Sequence, residues 1–167
     1  TYIKPIFILI VMIVLNLKTY PETIAKALLF TDIASEIVED SGLRVVVCPP
    51  SPYLREAAER SSDVFAQHVD SEPAGPFTGS IPVDMLKAAK VKGSILNHSE
   101  RRVPAERIKP TVESLHKHGM ESLVCAATSA EAAGIAARSE LRAEPVIPLL
   151  LVEEPLVAAG PHGPQEE

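Results

Sequence analysis

Cysteine is scarce in this chain of 167 residues, which contains only Cys48 and Cys125. The two stand far apart, without the Cys-x-x-Cys spacing or the nearby histidines of a zinc site. A disulfide framework is also disfavoured, because such frameworks need several cysteines within a small secreted domain. The pattern predicts reduced thiols in a cytosolic protein and no metal site.

Positive charge is also sparse. Sixteen Lys and Arg stand against 22 Asp and Glu, which gives a formal net charge of -6, and no long run of basic residues occurs. This balance argues against a nucleic acid or an anionic membrane surface as the main partner. An anionic substrate would therefore need positive charge concentrated locally at its binding site.

Long apolar runs are missing as well. The longest, residues 6–15, has ten residues, whereas a membrane-spanning helix needs about 20. No small-residue cleavage site follows the run, as a secretory signal peptide would require. We expect residues 13–15 to form a fully buried strand.

What the sequence does contain is a repeating α/β pattern. It is 46% apolar and 23% charged, which is typical of one globular domain with a real core. Short β-branched runs alternate with longer amphipathic segments, as a parallel sheet with crossover helices requires. The expected strands are residues 13–15, 45–48, 64–67, 94–96, 122–125 and 147–152.

Proline, serine and glycine mark where the intervening helices begin and end. Starts are expected at Pro21, Ser51, Pro82, Pro104 and Ser129, and ends at Gly42 and Gly119. The longest irregular stretch, residues 68–79, is rich in proline and glycine and too long for an ordinary connection. We expect it to be a functional loop.

Polar residues cluster at the ends of the predicted strands, where parallel α/β folds place their reactive groups. They are Asn16, Lys18, Gln67, Asn97, His98, Glu153 and Glu154. Together they offer an amine, an imidazole and a carboxylate. Such a set can remove a proton beside a carbonyl, polarise that carbonyl and neutralise the resulting enediolate.

Each of these residues also has a purely structural interpretation. Lys18 could be a solvated charge and Asn16 could cap a turn. Ser99 could be the N-cap of a helix, which would make His98 part of a polar helix start. Glu154 could lie in a surface turn. A site is favoured because four such positions fall on four strand ends of one repeating pattern.

Several segments resemble the triosephosphate isomerase family, particularly its archaeal branch, in the family's order and approximate spacing. They are residues 16–20 (NLKTY), 65–70 (FAQHVD), 77–79 (FTG), 97–102 (NHSERR) and 123–126 (LVCA). The set is far more specific than a lone glycine motif. The resemblance covers about residues 12–163 and is looser after Ser129.

The resemblance implies a TIM (β/α)8 barrel, of which this chain carries only about six βα units. An eightfold barrel ordinarily needs roughly 200 residues or more, so we expect an incomplete barrel, from either an imperfect gene model or a fragment at both ends. Residues 12–167 would form a partial barrel domain. Residues 1–11 would be an N-terminal extension of doubtful status.

The resemblance also implies an isomerase of glycolysis and gluconeogenesis that interconverts dihydroxyacetone phosphate and D-glyceraldehyde 3-phosphate through an enediolate. Glu154 would move the proton, His98 would act as a neutral electrophile and Lys18 would neutralise charge. Asn16 would hold the geometry, and the backbone N–H of Gly160 would meet the substrate phosphate. No metal or organic cofactor is implied.

Two details of this assignment stay open. Glu153 is an alternative base, although Glu154 is favoured because Pro155 follows it, as at the start of the family's flexible lid. That lid would comprise residues 155–162 and exclude water from the enediolate. Ser99 and Glu100 look like helix-start residues directly after His98.

The resemblance finally suggests partners. Residues 68–79 resemble the loop that family members insert into a neighbouring subunit, so a cytoplasmic homodimer or homotetramer is expected, without nucleic acid or membrane. The alternative is a catalytically inactive truncated barrel that acts only as a binding partner of intact subunits. Another phosphate-binding barrel enzyme is disfavoured by residues 97–102.

Overall fold

The computed structural model describes residues 12–61, 63–138 and 147–150. Within these ranges six parallel strands alternate with six α-helices and one short 3-10 helix at Ser51–Tyr53. The strands are β1 (Met12–Asn16), β2 (Arg44–Cys48), β3 (Phe65–Ala66), β4 (Gly93–Leu96), β5 (Glu121–Ala126) and β6 (Ile147–Leu150). The helices are α1 (Pro21–Ala25), α2 (Ala27–Ser41), α3 (Leu54–Arg60), α4 (Val83–Ala88), α5 (Ala105–Lys117) and α6 (Ser129–Arg138).

The strands pair in the order of the chain. β1 pairs with β2, and β3, β4, β5 and β6 follow one another in a second sheet, every pair being parallel. A parallel bridge between Val47 and Val64 joins the two sheets. All six predicted strands are therefore confirmed, although the last two residues predicted for β6, 151–152, lie outside the described residues.

The helix starts predicted at Pro21, Pro82, Pro104 and Ser129 are confirmed, and Ser51 begins the 3-10 helix that leads into α3. Pro21 is the first residue of α1, where its missing N–H costs no hydrogen bond, and Pro82 and Pro104 directly precede α4 and α5. Gly42 ends α2 at a φ of +69°, and its N–H donates to the carbonyl of Val38 at 2.9 Å. Gly119 turns the chain into β5 at a φ of +71°.

Strand β1 is less buried than its apolar sequence predicts. Ile13 is 44% exposed, and Val14 and Leu15 are only partly buried, so the expectation of a fully buried strand at residues 13–15 is wrong. The reason is topological, because among the described residues β1 pairs with β2 alone. A strand with one neighbour is shielded from solvent on one side only.

The two faces of the sheet have separate apolar layers, because successive side chains of a strand point to opposite faces. The outer face of β2 packs through Val45 and Val47 against Ala27 and Ala34 of α2. The inner layer consists of buried Val46, Cys48, Phe65, Ile95, Leu123 and Cys125, with Met12 and Val14 against them. The inner layer therefore joins β1, β2, β3, β4 and β5 into one core.

Phe65 fills this inner layer by lying over Gly93. A Cβ built on Gly93 would lie 2.5 Å from Cε2 of Phe65 and 2.5 Å from the carbonyl oxygen of Glu121. Real Cβ atoms do not approach other atoms so closely. Glycine is therefore required at the start of β4, since any side chain would displace the ring or the neighbouring strand.

An ion-pair network closes the amino-terminal edge of the sheet. Arg44 donates from Nη1 and Nη2 to the two carboxylate oxygens of Glu121, at 2.9 and 2.7 Å, and from Nη2 to Asp63 at 2.8 Å. Its guanidinium also lies 6.0 Å from the ring centroid of Phe65. The network links the beginnings of β2 and β5 with Asp63, the residue before Val64.

We expect Gly93→Ala to destabilise the protein by about 1–3 kcal/mol through overpacking. The measurement is the midpoint of urea denaturation. Gly134→Ala is the matched control, because a Cβ at that exposed position of α6 meets no atom within 4 Å. That control should gain about 1 kcal/mol from alanine's higher helix propensity. Equal midpoints for wild type and Gly93→Ala would contradict the packing described above.

Candidate active site

Asn16, Lys18 and His98 lie at the carboxyl-terminal edge of the sheet. Asn16 is the last residue of β1, Lys18 follows two residues later, and His98 follows β4. Parallel strands end on the same edge, so residues distant in sequence are brought together there. The polar residues predicted at the ends of β1 and β4 thus share one edge.

Lys18 has an unusual backbone conformation. Its φ is +50°, a region that side-chain-bearing residues seldom occupy. The Oδ1 atom of Asn16 accepts a hydrogen bond from the Lys18 N–H at 3.0 Å. Asn16 therefore acts locally, as the turn-forming interpretation expected, and this turn sets the direction in which the Lys18 side chain leaves the strand.

Gln67 holds the same turn from the neighbouring strands. Its Nε2 donates to the carbonyl oxygen of Lys18 at 2.9 Å and to that of Cys48 at 3.0 Å. One amide group thus connects the ends of β1, β2 and β3. The sequence placed Gln67 at a strand end, but only the fold gives it this role.

His98 is almost enclosed, with 7% of its surface exposed. Its Nδ1 accepts a hydrogen bond from the N–H of Glu100 at 3.2 Å. An Nδ1 atom that accepts a hydrogen bond carries no proton, so this arrangement corresponds to the tautomer with its proton on Nε2. The local turn therefore favours one tautomer of the imidazole.

Glu100 lies between Lys18 and His98. Its Oε1 is 2.7 Å from Nζ of Lys18, and its Oε2 is 3.7 Å from Nδ1 of His98. The amine and the imidazole, 80 residues apart in sequence, therefore surround a single carboxylate. The sequence predicts Glu100 as a helix-start residue and does not predict this bridging contact, for which its position two residues after His98 is the available signal.

The helix expected to begin beside His98 is absent at that position. Residues 99–100 form a turn, and α5 begins only at Ala105. Asn97 is the physical reason, because its φ is +60° and its Oδ1 accepts the N–H of Val103 at 3.2 Å, which closes a loop rather than a helical turn. The prediction that Ser99 and Glu100 start a helix is therefore wrong.

The long irregular segment of residues 68–79 is closed at its base by Asp70. The N–H of Asp70 donates to the carbonyl of Ile81 at 2.9 Å, and its Oδ2 accepts the N–H of Ile81 at 2.7 Å. His68 contacts Oδ1 at 3.0 Å. Burial raises the pKa of Asp70, but the hydrogen bonds from Ile81 and His68 outweigh burial and hold that pKa below its ordinary value. Residues 74–79 are exposed.

Part of the predicted site lies outside the described residues. This applies to Glu153, Glu154 and Gly160, to the lid of residues 155–162, and to residues 1–11. The described residues contain no group of three or more His, Cys, Asp or Glu side chains arranged to hold a metal ion. No helix within the same ranges is long and apolar enough to cross a membrane.

Consecutive parallel strands, helices on their outer face and polar side chains at the carboxyl edge define a β/α-barrel type of protein. A sequence profile of the family "Triosephosphate isomerase" matches residues 11–149. The chain belongs to the triosephosphate isomerase family.

Individual relatives agree with this assignment. The chain is 34% identical to triosephosphate isomerase from Methanopyrus kandleri over 80% of its own length and 62% of the relative's. It is 38% identical to the Methanothermus fervidus protein of the same name, over 74% of its own length and 58% of the relative's. The chain thus spans about three fifths of these two curated relatives.

A solved structure supports the fold. Triosephosphate isomerase from Bartonella henselae superimposes with a TM-score of 0.59 at 23% identity, covering 77% of this chain and 59% of that one. This confirms the expected fold, a TIM barrel of which the described residues form six strands.

Replacing Gln67 with leucine should destabilise the protein by about 1–3 kcal/mol, because two carbonyl oxygens lose their shared donor. Urea denaturation measures the change. Ser35→Ala is the control, since it removes one exposed hydrogen bond to the Arg60 carbonyl and should stay within about 0.5 kcal/mol of wild type. A Gln67→Leu protein as stable as this control would show that the bonds to Lys18 and Cys48 are dispensable.

Asp70→Asn should lower stability at neutral pH and lose this effect in acid. The folded pKa of Asp70 lies below its ordinary value of 3.8, so the ionised carboxylate stabilises the fold above that pH. The contribution disappears as the pH falls through the folded value. Urea denaturation of both proteins between pH 7 and pH 3 tests this, with exposed Asp40→Asn as control. A stability difference that is independent of pH would contradict the role of the charge.

Proposed function

We propose that this chain carries an isomerase site that interconverts dihydroxyacetone phosphate and D-glyceraldehyde 3-phosphate through an enediolate. The observation that carries the proposal is a pair of hydrogen bonds made by Glu100. Nζ of Lys18 donates to its carboxylate, and its own N–H donates to Nδ1 of His98. Membership of the triosephosphate isomerase family supports the same reaction.

Lys18 supplies the positive charge that an anionic substrate needs in a protein of net charge -6. Among the described residues it forms an ion pair with the carboxylate of Glu100, and the two side chains are 31% and 56% exposed. Ion pairs with this exposure contribute only about 0–1 kcal/mol. A phosphorylated triose can therefore take the place of Glu100 beside Lys18 at little cost.

His98 polarises the substrate carbonyl. With Nδ1 accepting from Glu100, Nε2 is the ring nitrogen that would donate to a carbonyl oxygen. As a neutral hydrogen-bond donor, the imidazole would stabilise the negative charge on the enediolate oxygen. Asn16 contributes by holding the turn from which Lys18 projects.

Glu154 is the proposed base, and the backbone N–H of Gly160 the proposed contact of the substrate phosphate. The support is sequence order, since Glu154 and Pro155 follow the sixth strand as the start of the family's lid does. Glu153 is the alternative base. Residues 155–162 would then close over the substrate and exclude water, which protects the enediolate from losing its phosphate.

The wider setting is proposed on the same grounds. The chain would work in the cytoplasm, in glycolysis and gluconeogenesis, as a homodimer or homotetramer, without nucleic acid or membrane. Residues 68–79 are the proposed subunit contact, supported by the exposure of Phe77 at 43%. Residues 12–167 would be the barrel domain and residues 1–11 an extension. The reaction needs no cofactor, because positioned charges carry it.

We expect wild-type chain to interconvert the two triose phosphates in a coupled dehydrogenase assay. His98→Gln and Glu154→Gln should each lower kcat by about 10²–10⁴-fold, the usual effect of losing a group that transfers or polarises a proton. Lys18→Met should lower kcat/KM by about 10²–10³-fold through lost charge stabilisation.

Two matched variants serve as controls for this experiment. Glu153→Gln should keep activity if Glu154 is the base, and exposed Asp40→Asn should keep it in any case. Turnover that survives both His98→Gln and Lys18→Met would overturn the proposal. A wild-type chain that neither turns over nor binds the triose phosphates would instead favour the catalytically inactive binding partner.

A further inference from the structure

The loop that carries His98 and Glu100 is tied at both ends to one carboxylate. Glu131, in the first turn of α6, accepts at Oε1 from Nδ2 of Asn97 at 3.1 Å and from Nη1 of Arg102 at 2.8 Å. Asn97 and Arg102 are the first and last residues of this loop. A side chain of the next βα unit therefore spans the loop's two ends.

Glu131 is itself firmly placed. Its other oxygen, Oε2, accepts the N–H of Ala127 at 2.7 Å, and its own N–H donates to Oγ1 of Thr128 at 3.1 Å. The hydrogen bond from Ala127, together with those from Asn97 and Arg102, holds the pKa of Glu131 below its ordinary value of 4.5. The carboxylate is therefore charged at neutral pH.

Asn97 links Glu131 to the neighbouring residue His98. It is 2% exposed, and its Nδ2 donates to the carbonyl of Cys125 at 2.9 Å as well as to Glu131. Its Oδ1 accepts from Val103. All polar atoms of the amide are thereby used while its backbone has a φ of +60°. A residue held this tightly fixes where the chain enters the turn of His98.

We propose that Glu131 is a positioning residue for the candidate active site, which clamps residues 97–102 so that Nδ1 of His98 meets the N–H of Glu100. The inference deepens the proposed function, and its catalytic consequence rests on that function. The geometry of the clamp is independent of the proposed function. Glu131 does not touch His98 and acts through Asn97 and Arg102.

A simple helix-capping role does not account for these contacts. Thr128 and Glu131 have the Thr-x-x-Glu spacing of a capping box, in which both side chains satisfy backbone N–H groups at the start of a helix. Those tasks occupy Oγ1 of Thr128 and Oε2 of Glu131. Oε1 is left for the loop, and both of its partners belong to residues 97–102.

The imidazole tautomer of His98 tests the clamp without reference to turnover. Long-range nitrogen–proton NMR spectra distinguish Nδ1 from Nε2 protonation, and the His98 signals are assigned by their loss in His98→Gln. Wild type should show a single Nε2-protonated form. In Glu131→Ala we expect a mixture of tautomers, because the N–H of Glu100 is no longer held against Nδ1.

Thr128→Ala is the matched control, since it weakens the same helix start but leaves Oε1 of Glu131 on the loop. It should keep the wild-type tautomer. Arg102→Met removes one of the two ties and should give an intermediate spectrum, and it serves in place of Glu131→Ala should that variant not fold. A wild-type spectrum in Glu131→Ala, or in Arg102→Met as its substitute, would overturn the clamp, as would an equal change in Thr128→Ala.

Kinetics then separate the clamp from the reaction. With both proposals correct, Glu131→Ala should lower kcat about 10–100-fold, as expected for a misplaced catalytic group, with little change in KM. Glu131→Gln, which keeps an acceptor for Asn97, should recover part of the loss. A changed tautomer with unchanged kcat would count against the role of His98 in the proposed function, and would leave the clamp standing.

Discussion

Parallel pairing between consecutive strands is the constraint on which the rest of the structure depends. It places every strand end on one edge and every strand beginning on the other, so that the two edges can be used differently. The beginnings of β2 and β5 are joined by Arg44 and its carboxylate partners. The ends carry the groups capable of chemistry. The ion-pair network and the candidate site are thereby separated along the strand direction.

Two of the three non-glycine residues with positive φ among the described residues lie at the carboxyl-terminal edge. Lys18 and Asn97 both have positive φ angles without being glycine, a conformation that costs on the order of 1–3 kcal/mol in a strained site. In both cases amide side chains offset the cost. Gln67 holds the carbonyl of Lys18, and the Asn97 amide binds Cys125 and Val103. Lys90 also has a positive φ, of +61°, in an exposed turn, where its own N–H donates to the carbonyl of Lys87 at 3.0 Å.

Two carboxylates organise the edge that carries the proposed site. Glu100 contacts Lys18 and Nδ1 of His98. Glu131 joins the two ends of the loop that carries His98 and Glu100. Each carboxylate holds positively charged or polar groups in position, and neither carboxylate is itself buried. In a chain with an excess of acidic residues, such pairing keeps basic groups in defined positions at this edge. The acidic composition is therefore compatible with the proposed binding of an anion there.

The sequence by itself determined the strands, most helix boundaries and the strand-end positions of Asn16, Lys18 and His98, because apolar periodicity, proline and glycine act over a few residues. It did not determine the bridging carboxylate of Glu100, the connection that Gln67 makes between three strands, or the clamp of Glu131. The helix expected directly after His98 does not form there, because Asn97 closes a loop instead. These features depend on side chains that meet across strands, and only tertiary packing decides which distant atoms come within hydrogen-bonding distance.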